Sequence, residues 1–316
     1  MRSSSPSPFA VDRVAIRLPF AILRDADEHI DTIITGAYGA TLRARRWGST
    51  IYVRGCLARY VQGHQVFCSL PLHALIEITH ARVAATLGLP LLSDDVWAVQ
   101  GGRVDIREIE VYHQFRALSA TDARRAARVI EAAGRVGRQR TARTMNTAYA
   151  GRSSARSTTR VYAKHDEVLY RGLPADLPHR DDILEWSRDV VRIEVGLKRQ
   201  ALRDAGLDTL AGWRDPARAA AIMDRRIAQI RALDNAAPNL PADIVANLST
   251  SVRATYAEWS TGADVRATMK TATFYRHLAS LRAQGIDIAR PRSTGRGAGA
   301  LAAMIEAGPA KLPRWV

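Results

Sequence analysis

A change of period constrains this chain more than any other feature. Up to Lys198 it carries segments in which apolar and polar residues alternate, and from "RQALRDAGL" onward such segments stop. "VDRVAIRLPF" places Val14, Ile16 and Leu18 on one face, "STIYVRG" reads as a second strand, and "VRIEVGLK" sets Val191, Ile193, Val195 and Leu197 against Arg192, Glu194 and Lys198. Beyond these, helical spacing is interrupted at "GWRDPARA", "NAAPNLPAD" and "STGADV". Strands first and helices afterwards read as an α+β fold with a mainly antiparallel central sheet flanked by helices and a helical C-terminal extension. The expected divisions are a disordered N-terminus 1–10, a sheet-containing domain 11–207, a helical domain 208–290 and a flexible tail 291–316.

Within the first part, "LPLHALIEITHARVAATLGL" carries a helical apolar stripe that ends at Gly88, a residue suited to a C-cap. In "GRVDIREIEVYHQF" the alternation changes phase, because Val104 and Ile106 share a face with Glu108 and Glu110 while Ile109 and Val111 lie opposite. A bulge or twist near Arg107 accounts for that switch. "SATDARRAARVIEAAGRVG" reads as a helix capped by Ser119 or Thr121. "TAYAG" and "TTRVYAK" read as a strand pair joined by the basic hairpin loop "RSSARS", whose Arg152 and Arg156, with Arg160 beside them, suit a phosphate backbone.

Charge narrows the partner. Lys and Arg number 46 against 31 Asp and Glu, a formal net charge of +15, which points to a polyanion such as nucleic acid. A basic surface without such a partner is the competing reading of composition alone. The two cysteines, Cys56 and Cys68, fit small buried thiols better than a disulfide framework or a zinc site. The N-terminus has no signal-peptide core, and no apolar run reaches about 18 residues, so a soluble protein with no membrane contact is expected.

The stretch "TTRVYAKHDEV" carries the candidate chemistry. Read as a strand, it puts Arg160, Tyr162, Lys164 and Asp166 on one side. A phenol attacks phosphorus at neutral pH only with a cation or metal to stabilise phenolate and phosphoryl charge, and Lys164 is such a cation. Tyr-x-Lys also arises on ordinary half-buried strands, so the residues leave both readings open. Glu110 and Glu194, with His64 in "QGHQVF", form a candidate set for Mg²⁺ or Mn²⁺, against the alternative of cross-strand ion pairs and a hydrogen-bonded histidine. In "ADVRATMKTATFYRHLASLRAQGI" Phe274, Leu278 and Leu281 form an apolar stripe, with Lys270, Arg276, His277 and Arg282 on the other faces. A turn before a helix that begins with Thr271, Thr273, Tyr275 and Arg276 suits a helix-turn-helix reader, or a basic packing helix.

Several blocks in order, "VAIRLPF", "YVQGHQVF", "REIEVYHQF", "NTAYAGRSSARSTTRVYAKHDEV", "VVRIEVGLKRQALRDAGL" and "MKTATFYRHLASLRAQGI", resemble the gene II replication initiators of filamentous bacteriophages over about Val11 to Ile288. That family nicks and joins DNA during rolling-circle replication and is broadly similar to the HUH superfamily. The resemblance implies Tyr162 as nucleophile and Lys164 as its lysine, with metal ligands at Glu110 (where the family has Asp), Glu194 and His64. The His-hydrophobic-His pair of the wider superfamily is missing.

What the resemblance implies is an endonuclease and strand transferase in the host cytoplasm that uses Mg²⁺ or Mn²⁺. Its expected partners are the phage origin, as duplex and as single strand, the host helicase and polymerase, and further copies of itself at the origin. Tyr162 would form a 5′-phosphotyrosyl intermediate and the ends would later be rejoined. Two rivals are a DNA-binding regulator of phage replication without catalysis and a metal nuclease that activates water.

Overall fold

The computed structural model describes residues 9–23, 29–233, 240–261, 263–289 and 300–315. Most of the expected N-terminal segment 1–10, and the Gly/Arg stretch that opens the expected tail, lie outside the described residues. Among these residues ten strands form one sheet: β1 (Ala10–Pro19), β2 (Asp31–Thr35), β3 (Thr41–Trp47), β4 (Thr50–Cys56), β5 (Asp105–Arg116), β6 (Arg135–Val136), β7 (Gln139–Thr144), β8 (Thr147–Ala150), β9 (Ser157–Ala163) and β10 (Val190–Lys198). The spatial order is β2-β3-β4-β1-β5-β10-β9-β8-β7-β6, and the registered pairs are antiparallel. The α+β expectation describes the molecule.

One face of the sheet is apolar because the alternation is strict where it matters. Ile109, Val111 and Phe115 of β5 and Val191, Ile193, Val195 and Leu197 of β10 are buried on it. Helices Ala120–Ala132, Arg199–Ala205 and Pro216–Arg231 cover that face. Each such side chain contributes about 1.5–3 kcal/mol through burial. The long central strand bulges at Arg107, as its change of phase predicts: Ala15 pairs with Glu108 and Ile16 with Ile106, leaving Arg107 extra. A second irregularity lies between the pairs Val11/Val111 and Val14/Ile109, where Asp12 and Arg13 stand against the single residue Glu110.

Two packing observations bear on the expected divisions. Helix Pro216–Arg231, started by Asp215, whose side chain accepts from the Ala217 N–H at 3.0 Å, inserts Ala219, Met223 and Ile230 into the cores of the sheet. The change of period near residue 208 therefore ends the strands but not the sheet-bearing unit. The described part of the expected tail, residues 300–315, is docked. Helix Ala300–Glu306 buries Leu301 and Met304 beside Ile130 and Ile230, Ala310 donates to the Gln114 carbonyl at 2.7 Å, and Trp315 packs on Phe67 and His179. Between these segments Leu240, Val252, Tyr256, Trp259, Val265, Phe274, Leu278, Leu281 and Ile288 form a core of their own, which makes this helical stretch a separate packing unit. Among the described residues no helix is long and apolar enough to cross a membrane.

Candidate active site

Strand register assembles the site. Arg192 stands opposite Tyr162 and Gln114, Glu194 opposite Arg160 and Tyr112, and Gly196 opposite Thr158 and Glu110. Opposed residues share a face, so β5, β10 and β9 present Glu110, Tyr112, Arg160, Tyr162, Arg192 and Glu194 together, away from the apolar face. On β8 Thr147 pairs with Tyr162 and Tyr149 with Arg160, which extends the same face. From the other side, the irregularity of β1 brings Asp12 into the group. Gly196 leaves room beside Glu110, since a Cβ there would lie 2.6 Å from Thr158 Oγ1.

The Tyr162 hydroxyl donates to Glu194 Oε1 at 2.5 Å. Arg160 forms ion pairs with Glu110 and, at 2.7 Å, with Glu194 Oε2. Arg192, fully buried, lies 3.6 Å from both Asp12 and Glu194, stacks over Tyr112 at 3.8 Å and donates to the carbonyls of Gln65 and Val66 at 2.6 Å. Those two bonds clamp the loop after helix Leu57–Gln62 onto the sheet. The Lys164 ammonium, also fully buried, pairs with Glu167 and lies 5.9 Å from the Tyr162 ring. Together with Arg13, Cys56, Gln65, Thr147, Tyr149 and Arg171, the acidic groups, Arg160 and Tyr162 line a cavity of about 110 Å³.

Burial sets the protonation states. It raises the Tyr162 phenol well above its ordinary range, and Glu194 pushes the same way, while Arg192 acts against them. Burial also raises the Glu110 carboxyl to about 7, although Arg160 opposes it. At Asp12 the burial penalty is outweighed by Arg192 and Lys164, leaving its carboxyl below the usual range. The Lys164 ammonium is weakened by burial and then by Arg192, and Glu167 partly restores it. In this state the phenol carries its proton and Glu194 holds it.

Asp12, Glu110 and Glu194 each offer an oxygen within 4.8 Å of the others. Asp12 Oδ1 and Glu194 Oε2 are buried without a hydrogen-bond donor; Arg160 reaches the latter at ion-pair distance but outside hydrogen-bond geometry. Three hard oxygen donors with lone pairs to spare fit a divalent cation of the Mg²⁺ or Mn²⁺ type.

The structure changes several expected positions. Lys164 is not a strand residue: β9 ends at Ala163 and Lys164 opens helix Lys164–Arg171, so its nearness to Tyr162 comes from the chain's turn into that helix. Asp166 leaves that face and pairs with Arg124 at 2.9 Å. His64 stands outside the carboxylate cluster. Its ring packs on Phe67 with centroids 4.8 Å apart, and burial lowers its pKa to about 4.

The expected DNA-binding residues are also spread across different settings. Arg160 sits among the glutamates with its charge compensated, Arg156 pairs with Asp204, and Arg152 lies over the Tyr149 ring at 5.4 Å. In the helical unit Lys270 caps helix Thr271–Arg282, with Tyr275 and Arg276 exposed and Thr273 half-buried. His277 lies inside, 2.8 Å from Thr255 Oγ1, so it does not belong to the outer basic face.

Sequence reasoning misses Asp12, and it places Arg192 on the polar face with Glu194 and Lys198 without assigning it a part in the site. The signal for Asp12 is a carboxylate next to an apolar strand. Straight alternation puts it on the core face with Val14.

Comparisons with known proteins bear on the chain as a whole. Residues 31–216 match the family model for the N-terminal part of the phage replication-associated protein of gene II, and residues 241–316 match the model for its C-terminal part. The chain is 27% identical over 293 residues to the gene II replication-associated protein of Enterobacteria phage I2-2, covering 89% of this chain and 84% of the relative. A rolling circle replication initiator protein from Geobacillus stearothermophilus aligns with 62% of this chain and 76% of its own, at 13% identity and a TM-score of 0.30.

Proposed function

The chain belongs to the gene II family of phage replication-associated proteins, and from that premise we propose that it nicks and rejoins one strand of its origin DNA, with Tyr162 as the nucleophile. One observation carries the reading: the Tyr162 hydroxyl is hydrogen-bonded to Glu194, and Glu194 belongs to the three-carboxylate cluster that faces the cavity.

Tyr162 Oη attacks the scissile phosphorus while its proton passes to Glu194. The P–O3′ bond breaks, O3′ leaves as a hydroxyl after taking up a proton from solvent, and a 5′-phosphotyrosyl bond forms. The free 3′-hydroxyl is the primer for host polymerase, with host helicase opening the duplex ahead. In the reverse step a 3′-hydroxyl attacks the same phosphorus and gives its proton to solvent, the phenolate leaves, and Glu194 returns the proton to it. Because the phosphoryl bond is conserved in the adduct, rejoining needs no ATP. Lys164 and Arg192 stabilise the charge that develops on phenolate and phosphoryl oxygens. Asp12, Glu110 and Glu194 would hold a divalent cation, which supplies Lewis-acid polarisation of the phosphate when bound. Arg152 and Arg156 contact flanking phosphates, and the helical unit recognises duplex through the start of helix Thr271–Arg282, at Lys270, Thr273, Tyr275 and Arg276.

The test uses a supercoiled plasmid carrying the intergenic region of the genome that encodes this chain, with Mg²⁺. A relaxed product and a denaturation-resistant protein–DNA adduct are expected. Binding without nicking would support a regulator instead, and nicking without an adduct would support a water-activating nuclease.

A further inference from the structure

The face that carries the site does not stop at the cavity. Tyr149 pairs with Arg160 on one side and with Ala142 on the other, so Ala142 lies on the site face. Alternation along β7 adds Thr144 and Arg140 to that face, and Arg135 of β6 stands directly opposite Arg140. Between Tyr162 and Arg135 the surface crosses three strand intervals of about 4.8 Å, about 14 Å measured across the strands, and also runs four residues along β7.

Two features of this ribbon are out of keeping with a merely solvated edge. First, Arg135 and Arg140 are directly opposed near the sheet's edge, both exposed, an arrangement of like charges that destabilises a strand pair. Among the described residues no carboxylate pairs with either, whereas Arg143, of opposite parity, meets Glu131 at 2.9 Å. Second, the ribbon leads to the half-buried ring of Tyr149, which lines the cavity. The Arg152 guanidinium lies over that ring, and its Nη1 donates to Thr144 Oγ1 at 3.0 Å, so this side chain also runs along the site face. An aromatic at the mouth of a catalytic cavity, continued by uncompensated arginines, is the combination that holds a single nucleic-acid strand by base stacking and phosphate contact.

We infer that Tyr149, Arg152, Arg140 and Arg135 form a track for one DNA strand leading out of the cavity. The inference rests on the nicking reading above. It assigns Tyr149 to stacking and the opposed arginines to phosphates beyond the scissile one.

The test measures binding alone, in a Tyr162→Phe background, by fluorescence anisotropy of a polydeoxythymidine strand and of a duplex of equal length over a range of salt. Removing two phosphate contacts from a single strand lowers the slope of log affinity against log salt by about 1.4, at about 0.7 per contact. Arg135→Ala/Arg140→Ala is therefore expected to lose that slope and about tenfold in single-strand affinity at low salt. Tyr149→Ala is expected to lose about tenfold with the slope unchanged. Arg43→Ala/Arg45→Ala, near the opposite edge of the sheet, removes the same charge as a control and is expected to keep the slope. Equal losses in the control, or an equal loss of duplex binding by the track variant, would overturn the track. If the background protein binds no DNA at all, the nicking reading falls with it. If it binds and the track variants bind equally well, only the track falls.

Discussion

The Tyr162 hydroxyl and Glu194 Oε1 are 2.5 Å apart, across the diagonal between two neighbouring strands. That relationship ties a phenol to a carboxylate that is itself one corner of an acidic cluster. Four buried or nearly buried acids, Asp12, Glu110, Glu167 and Glu194, are offset there by Arg160, Arg192 and Lys164. Removing any one of these charges therefore has consequences for its neighbours.

Arg192 is fully buried, as Lys164 is, and it alone of these charges serves two acids, an aromatic ring and two backbone carbonyls. Arg192→Met leaves Asp12 and Glu194 buried with less counter-charge and strips a donor from the Gln65 and Val66 carbonyls. We expect a loss of about 3–5 kcal/mol in denaturant unfolding. Arg192→Lys should recover only part of it, since a lysine cannot stack on Tyr112 and reach two carbonyls together. A variant as stable as the parent would show that the arginine is not holding the acids.

His64 sets an acid-side limit on stability. Its pKa falls from 6.5 to about 4 on folding, through burial first and then the charges of Lys164 and Arg192. The unfolded chain thus binds this proton more readily than the folded one. The contribution is intact above pH 6.5 and is lost as pH falls toward 4, amounting to about 3 kcal/mol. His64→Gln should flatten the unfolding free energy across that window, and an unchanged pH slope would count against it.

Gly196 is a spacing device under the acidic cluster. In Gly196→Ala the new Cβ meets Thr158 Oγ1 at 2.6 Å, and the next contact, Glu110 Cγ, is at 3.6 Å. The expected cost is about 1–3 kcal/mol of stability, with reduced nicking. Adding Thr158→Ala removes the close atom and should restore most of both.

The donor set makes a prediction about metal. Titration calorimetry with Mn²⁺ should show Asp12→Asn and Glu110→Gln weakening the ion by at least about tenfold, while His64→Gln leaves it unchanged. Equal weakening by His64→Gln would put the histidine back among the ligands.

Much of this site is legible in the alternation of β5, β9 and β10, which places Glu110, Tyr162 and Glu194 on polar faces before any contact is known. Asp12 is not legible, because its position counts with Val14, Ile16 and Leu18 until the irregularity opposite Glu110 reverses the parity. Strand counting reaches Lys164 although a helix begins there; the residue is near Tyr162 for a different geometric reason. Arg192 looks half-exposed because nothing local in the sequence announces that a helix and a distant loop close over its face. The switch of period near residue 208 likewise records secondary structure and says nothing of where a helix such as Pro216–Arg231 packs.

Peptide mapping of the adduct tests the central claim most directly. Trypsin releases Tyr162 in the peptide "VYAK" and Tyr149 in "TMNTAYAGR". After reaction with origin DNA and nuclease trimming, mass spectrometry should find the nucleotide on the Tyr162 peptide, and Tyr162→Phe should yield no adduct while still binding DNA. A nucleotide on the Tyr149 peptide, or an adduct that persists in Tyr162→Phe, would contradict the assignment of the nucleophile.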